Sequence, residues 1–367
     1  MRIKIGSPSI GLEEAKGVFK QVKSGWISQG KTTEKFEDRV KDLVKARFGV
    51  AVNNGTSSLH LSLLALGVNP GDEVIVPSLT YISSVNSILY CGAIPVFADC
   101  CPKTFNVSIK NLEEVVSSKT RFLMTVDMKG MPVDYDKIRK FVNERKIKWI
   151  SDAAESLGAS YKDEMVGSQA DLNSFSFFAN KNLTTGEGGI ILGKSLALEK
   201  KLRKLKNHGQ YKRYHHDQLG FNYRFNDVLA SIGLVQLKRL RSIMKVKEKN
   251  ANLYDKIFES FKLPITTPYV PGYVSQHSWF NYCITFPSKK TRDKAQKLLE
   301  ELGVETRISF PPCHKQRSVL KEKFLKRSSL ENTDKCFSTM LDIPCHHNMT
   351  KNHVEYVAQA IRKSFLA

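Results

Sequence analysis

The apolar positions of this chain change their period again and again along its first half. FGVAVNN (48–54), the end of PGDEVIVPS (70–78), IPVFADC (94–100), RFLMTVD (121–127) and KWISDAA (148–154) are short, nearly continuous apolar runs that read as strands. TSSLHLSLLALG (56–67), YISSVNSILYCG (81–92) and DYDKIRKFVNERK (134–146) lie between them and read as helices, the first ending on a glycine suited to a C-cap. Strands without a polar face, alternating with crossover helices, predict an α/β fold. Its central sheet is mostly parallel and covered by helices on both faces.

The second half reads differently. From Lys194 to about residue 261 the pattern is helical and basic, and TTPYVPGYV (266–274), rich in turn formers, reads as a boundary. Beyond it, SWFNYCITFP (278–287) reads as a strand, DKAQKLLEELGV (293–304) as a helix stopped by glycine, and ETRISFPP (305–312) as a strand. The expected organisation is a large unit over 1–250 and a smaller α+β unit over 251–367, with the extreme N-terminus packing on the smaller one.

Composition narrows the class. The 367 residues are 41% hydrophobic and 10% aromatic, which suits a globular protein and excludes a disordered one. No run approaches 18 apolar residues, and MRIKIGSPSI lacks the apolar core of a signal peptide, so a cytoplasmic protein is expected. Seven scattered cysteines without a CxxC fit reduced thiols. Cys345, His346 and His347 adjoin in PCHH, but no second cluster completes a metal site, so none is expected. The net charge is +21, and fifteen Lys or Arg against four Asp or Glu lie between Lys194 and Lys249. That field suits a solvated helix face or the steering of anionic substrates; nucleic acid is disfavoured because no nucleic-acid motif accompanies it.

Candidate chemistry sits where strands end, the place ligands occupy in open parallel sheets. After the first strand, Asn54-Gly55-Thr56-Ser57 opens a helix. Its amides suit a phosphate, and a plain Thr or Ser cap is the alternative. Asp152 closes a buried strand, where a carboxylate needs a cation. A protonated pyridine nitrogen is one candidate, a salt bridge or a helix cap another. In SFSFFANKNLTTGEGGIILG (174–193), Lys181 stands at the mouth of two apolar runs, five residues after Ser176. A poorly hydrated lysine loses its proton readily and can condense with an aldehyde, whereas a loop lysine in water would do neither. Taken together, the three features specify a flat aldehyde with a phosphate and a basic ring nitrogen, which is pyridoxal 5′-phosphate.

The stretches NNGTSSLHLSLLALGVNPGDEVIVPSLTYISSVNSILYCGAIPVFADC, SDAAESLGASYKDEMVGS, SFSFFANKNLTTGEGG and NHGQYKRYHHDQLGFNYRFNDVLASIGLVQLKRL resemble the DegT-type sugar aminotransferases, fold-type I pyridoxal phosphate enzymes. Within that family the chain looks most like the perosamine-synthase type, which aminates C4 of a nucleotide-linked 4-keto-6-deoxyhexose. The resemblance implies that Lys181 forms the Schiff base and shuttles the proton, and that Asp152 keeps the ring nitrogen protonated. It places Glu155 beside the ring and Tyr81 against its face. Gly55, Thr56, Ser57 and Ser176 are implied at the phosphate, and Asn222 at the phosphate of the neighbouring subunit's cofactor, which makes a homodimer obligatory. Trp26 and Ser28 in GWISQG, Glu187, Arg307 and His314 are implied on the substrate side, with Tyr81 and Lys181 shared. The implied partners are L-glutamate and a nucleotide sugar.

One departure stands out: many members read something like HLYG where this chain has Asp127-Met128-Lys129-Gly130, which leaves the sugar and the carbon open. A branch that replaces the lysine with histidine is a dehydratase; Lys181 being present, transamination is expected. Amination at C3 and a non-catalytic cofactor-binding regulator are the competing readings.

Overall fold

In the computed structural model, which describes residues 2–366, the apolar runs assemble into one eight-stranded sheet. Its strands are β1 (Phe48–Val52), β2 (Glu73–Pro77), β3 (Ile94–Ala98), β4 (Thr120–Val126), β5 (Lys148–Asp152), β6 (Leu172–Ser176), β7 (Gly189–Gly193) and β8 (Leu325–Lys326). They lie in the order β1-β7-β6-β5-β4-β2-β3-β8. β7 is antiparallel to both neighbours, and the other pairs are parallel. The fold is the mostly parallel, helix-covered α/β architecture expected.

The continuous apolar runs exist because successive side chains face opposite layers. Val74, Val76, Met124 and Ile150 pack under α3 (Gly55–Leu66) and α4 (Ile82–Tyr90), against Leu59, Leu63, Val85 and Ile88. Ile75, Leu123 and Trp149 face the other way, against Ile138, Phe141 and Val142 of α5 (Tyr135–Arg145). Each such fully buried side chain contributes about 1.5–3 kcal/mol. Parallel register then brings the carboxyl ends of β4, β5 and β6 into line, Val126 beside Asp152 and Asp152 beside Ser174. Gly189 of β7 sits opposite both Val52 and Ser176.

A 35-residue helix, Asp227–Phe261, links two cores. Ala230, Leu240 and Met244 pack with Phe36, Ala51 and Phe175. Ala251, Tyr254 and Phe258 pack with Tyr282, Leu299, Leu341 and Val357. The helix passes residue 250 without interruption. Ile3 joins the second core and pairs with Val304. A two-stranded antiparallel pair, Tyr282–Thr285 with Met340–Ile343, supports it. Among the described residues no helix is long and apolar enough to cross a membrane.

Three expectations need correction. The chain is not helical throughout 194–261: after the helix Leu196–Leu205, a hairpin of Gln210–Lys212 and His215–His216 intervenes. His208 and Tyr214 there adopt left-handed backbone at φ 58° and 65°, which ends a right-handed helix. The run 305–312 is not a strand. Among the described residues it makes a single bridge, Arg307 to Asp342, and Pro311 and Pro312 at its end have no N–H with which to extend the pairing. The basic stretch is also not purely a solvated face, since Lys206 and Lys247 are buried.

Candidate active site

A cavity of about 500 Å³ opens at the carboxyl edge of the sheet. Four of the strand ends that reach it bring a polar residue, Asn54 after β1, Thr80 and Tyr81 after β2, Asp152 on β5 and Ser176 on β6, while β4 brings Val126. Gly55, Thr56, Glu155, Lys181, Glu187 and Arg307 complete the expected residues on its wall. Ser83, Met128, Phe280 and Phe310 also line it.

Asn54, rather than Thr56 or Ser57, caps α3, its Oδ1 accepting from the Ser57 amide at 2.8 Å. The Thr56 hydroxyl is thereby left for the cavity, where it meets Ser83 Oγ at 3.0 Å. The amides at the start of the helix have no intrahelical acceptor, and they form a seat for an anion. Glycine is needed at 55 because a Cβ there would come within 2.9 Å of Ser176 Cβ.

Asp152 is 5% exposed. Burial pushes its carboxyl pKa up, against hydrogen bonds from Ser84 Oγ at 2.7 Å and the Ala154 amide at 3.2 Å. A carboxylate so placed is stabilised by any cation entering the cavity. Lys181 lies on the β6–β7 connection, its amide bonded to the Phe178 carbonyl at 2.9 Å. Its Nζ sits 4.1 Å above the Phe280 ring and 3.7 Å from Glu155 Oε1. Burial pulls its pKa down, opposed by Glu155 and Asp152. Glu155 is held in turn by the Lys129 amide at 2.9 Å. Tyr81 is exposed at the start of α4, its ring 5.2 Å from that of Phe310.

The donor set suits pyridoxal phosphate: a phosphate seat at α3, a buried carboxylate for a ring N–H, and an amine with a lowered pKa within one enclosure.

Five expected residues are not on this wall. Ser57 is buried in the first turn of α3, its amide spent on Asn54. His314 is buried outside the cavity, Nδ1 against Ser78 Oγ at 2.7 Å, and burial lowers its pKa. Trp26 and Ser28 lie on the loop between α1 (Leu12–Lys23) and α2 (Lys31–Leu43), with Trp26 exposed. Asn222 is exposed on this chain and pairs with Asn207. Of the residues sequence reasoning missed, Ser83 and Ser84 had a faint signal, two adjacent serines in the first turn of the helix that follows β2. Phe280 lay within a segment already singled out, WFNY; Phe310 and Met128 offered none beyond the neighbouring motifs.

Beside the cavity lies a buried charge network. Lys129, 4% exposed, donates through Nζ to both oxygens of Asp342 at 2.8 Å and contacts Ser309 Oγ. Farther along, Lys247 Nζ donates to Asn182 Oδ1 at 2.6 Å, and burial pulls its pKa down to about 8.

The sequence matches, over residues 8–362, the profile described as the DegT/DnrJ/EryC1/StrS aminotransferase family. It is 36% identical to the GDP-perosamine synthase of Caulobacter vibrioides, across 98% of this chain and 97% of that protein. It is 34% identical to the spore coat polysaccharide biosynthesis protein SpsC of Bacillus subtilis, across 97% of this chain and 95% of that one. The fold superposes with a TM-score of 0.94 on Spr1654 of Streptococcus pneumoniae, described as a sugar aminotransferase, in its PMP form. Identity to that structure is 28%, over 99% of this chain and 98% of that one.

Proposed function

Since the chain belongs to the DegT/DnrJ/EryC1/StrS aminotransferase family and is a pyridoxal-phosphate-dependent sugar aminotransferase, we propose that it moves the amino group of glutamate to C4 of a nucleotide-linked 4-keto-6-deoxyhexose. The product would enter cell-surface polysaccharide or glycoconjugate synthesis. The observation that carries this reading is the convergence of Lys181, Asp152 and the α3 N-terminus on one cavity. The 36% identity to a GDP-perosamine synthase favours a 4-keto-6-deoxy sugar on GDP. Nucleotide sugars are made where nucleotides are, which favours a cytoplasmic site of action.

When bound, pyridoxal phosphate supplies the carbonyl that carries the amino group and the electron sink that lets a carbon give up its proton. The chain's own residues do the rest. Lys181, its pKa lowered by burial, gives up its proton more readily than a lysine in water, and as the free amine it can accept a proton from the donor's α-carbon and return one to the sugar carbon. Glu155, 3.7 Å away, holds that amine over the site. Asp152 keeps the ring nitrogen protonated. Gly55, Thr56 and Ser176 seat the phosphate, and Ser57 supports them from within α3. Tyr81 covers the ring. Asn222, exposed here, serves the site of a second copy in a homodimer. Trp26, Ser28, Glu187, Arg307 and His314 belong to the substrate side, His314 by bracing Ser78. The unit 1–250 carries the cofactor seat, and 251–367 closes over it with Phe280 and Arg307.

The test is incubation of the holoenzyme with glutamate and GDP-, UDP- or dTDP-linked 4-keto-6-deoxyhexoses, with the amino product read by mass. The GDP sugar is expected to turn over best; absence of product from all three would refute the C4 reading.

A further inference from the structure

The network around Asp342 is a group of buried charges that none of these roles uses. Asp342 lies on the strand Met340–Ile343 and is fully buried. Its carboxylate accepts from Lys129 Nζ through both oxygens at 2.8 Å, from Asn281 Nδ2 at 3.0 Å and from Ser309 Oγ at 3.1 Å. Three of these bonds fall on Oδ2 and one on Oδ1, so Oδ2, the oxygen nearest Arg307, has its acceptor directions filled. Arg307 is the remaining cation beside it. Its main chain is fastened to residue 342 twice, Arg307 N to the Asp342 carbonyl at 3.1 Å and Asp342 N to the Arg307 carbonyl at 2.9 Å. Yet its Nε stops 3.8 Å from Oδ2, beyond hydrogen-bond reach, and is buried without a partner. The same side chain lines the cavity that holds Lys181.

Backbone tethering has put a guanidinium next to a buried carboxylate, and the pair has not closed. The physical reason is that Lys129 has taken the acceptor sites first. Replace that ammonium by an apolar group and Asp342 becomes a buried charge with open lone pairs. The nearest cation is then Arg307, and a buried carboxylate without a partner is costly enough to pull it in.

We infer that Lys129 is a positioning residue: by saturating Asp342 it keeps the Arg307 guanidinium free in the cavity to receive an anionic group of the substrates. That group is a carboxylate of the amino donor or a phosphate of the nucleotide sugar, which present the same oxyanion chemistry to a guanidinium. The left-handed backbone of Lys129 (φ 63°) also presents its amide to Glu155 at 2.9 Å. One residue therefore ties the carboxylate nearest Lys181 to the one nearest Arg307. The charges alternate in order through Lys181, Glu155, Lys129, Asp342 and Arg307.

The inference rests on the amino-transfer reading of the cavity. Its test measures binding without turnover, so a failed sugar panel and a failed binding test remain distinct results. The holoenzyme in its pyridoxal form, without amino donor, is titrated calorimetrically with 2-oxoglutarate and separately with GDP. Lys129→Met is expected to raise the Kd of at least one of them about tenfold or more, the scale of one charge-assisted hydrogen bond. A loss confined to 2-oxoglutarate assigns Arg307 to the donor carboxylate, and one confined to GDP assigns it to the phosphate. The double variant Lys129→Met/Asp342→Asn, which removes the competing charge, is expected to recover most of the affinity. A purely packing role for Lys129 would not be rescued this way. Unchanged affinity for both anions in Lys129→Met, or a double variant as weak as the single one, would overturn the inference. If Lys129→Met does not fold, Asp342→Asn alone decides: affinity equal to or tighter than that of the parent supports the inference, and weaker affinity overturns it.

Discussion

Asp227→Ala tests how the loop bearing Trp26 and Ser28 is held. α2 begins after Gly30, which has no side chain with which to cap its own helix. The cap comes from residue 227, at the start of the long helix. Asp227 is 1% exposed, and its Oδ1 accepts from Gly30 N at 2.8 Å, Thr33 N at 2.8 Å and Thr33 Oγ1 at 2.6 Å. Oδ2 accepts from Thr32 N at 3.1 Å, while the Asp227 amide donates to the Ser28 carbonyl at 3.1 Å. Hydrogen bonds to a charged group contribute about 1.5–3 kcal/mol each, and losing a cap costs about 1–2 kcal/mol. Four bonds to one carboxylate do not add fully, and removing the charge recovers some desolvation. We expect a loss of about 3–5 kcal/mol, the upper range for a single substitution. At about 2.1 cal mol⁻¹ K⁻¹ per residue, the 367 residues have an unfolding entropy of about 0.8 kcal mol⁻¹ K⁻¹, so the melting temperature should fall by about 4–6 °C. Thermal denaturation by circular dichroism reads this, and limited proteolysis should show new cleavage between α1 and α2. Cofactor affinity, read by absorbance, should hold, because Asp227 bonds to none of the cavity residues. A melting temperature within about 1 °C of the parent would refute the capping account, and so would a loss of cofactor affinity without a loss of stability.

Lys181→Ala should abolish the borohydride-trappable link to the cofactor, read by mass, while the melting temperature of the apoprotein changes little; a trapped adduct elsewhere would displace Lys181 from its role. Burial raises the Asp152 pKa, so its contribution to stability is present below the unfolded value of about 3.9 and lost as pH rises through the higher folded one. Asp152→Asn apoprotein should therefore be at least as stable as the parent at pH 7, with the difference shrinking toward acid, while cofactor affinity drops. Chemical denaturation at several pH values checks both, and a variant markedly less stable at pH 7 would contradict the buried-charge reading. For Lys247, a folded pKa lowered from 10.5 to about 8 makes the parent gain stability as pH rises across that window. That is a penalty near pH 7 of about 3 kcal/mol at 1.36 kcal/mol per unit. After subtracting about 1 kcal/mol for the lost bond to Asn182, Lys247→Met apoprotein should be about 2 kcal/mol more stable at pH 7. The advantage should disappear by pH 10.5, and an equal stability gap at both pH values would count against it.

The sequence by itself determined the layered sheet, because strands apolar on both faces have nowhere to go but between helices. It also determined the polar residues that follow each strand: Asn54 to Thr56, Tyr81, Asp152, Ser176 and Lys181 are legible because a parallel sheet delivers every strand end to one edge. It did not determine which of those groups would face the ligand. That Asn54 takes the cap and frees Thr56 depends on the start of α3, and that Ser84 braces Asp152 depends on the first turn of α4 meeting the end of β5. The segment around Arg307 looked like a strand, but its prolines and its tether to Asp342 made it a loop. Lys129 and Asp342 are 213 residues apart, so no local pattern could announce their ion pair. Periodicity records which way a residue faces within its own element; which charge meets which across elements is decided only when the cores close and burial makes an unpaired charge too costly to keep.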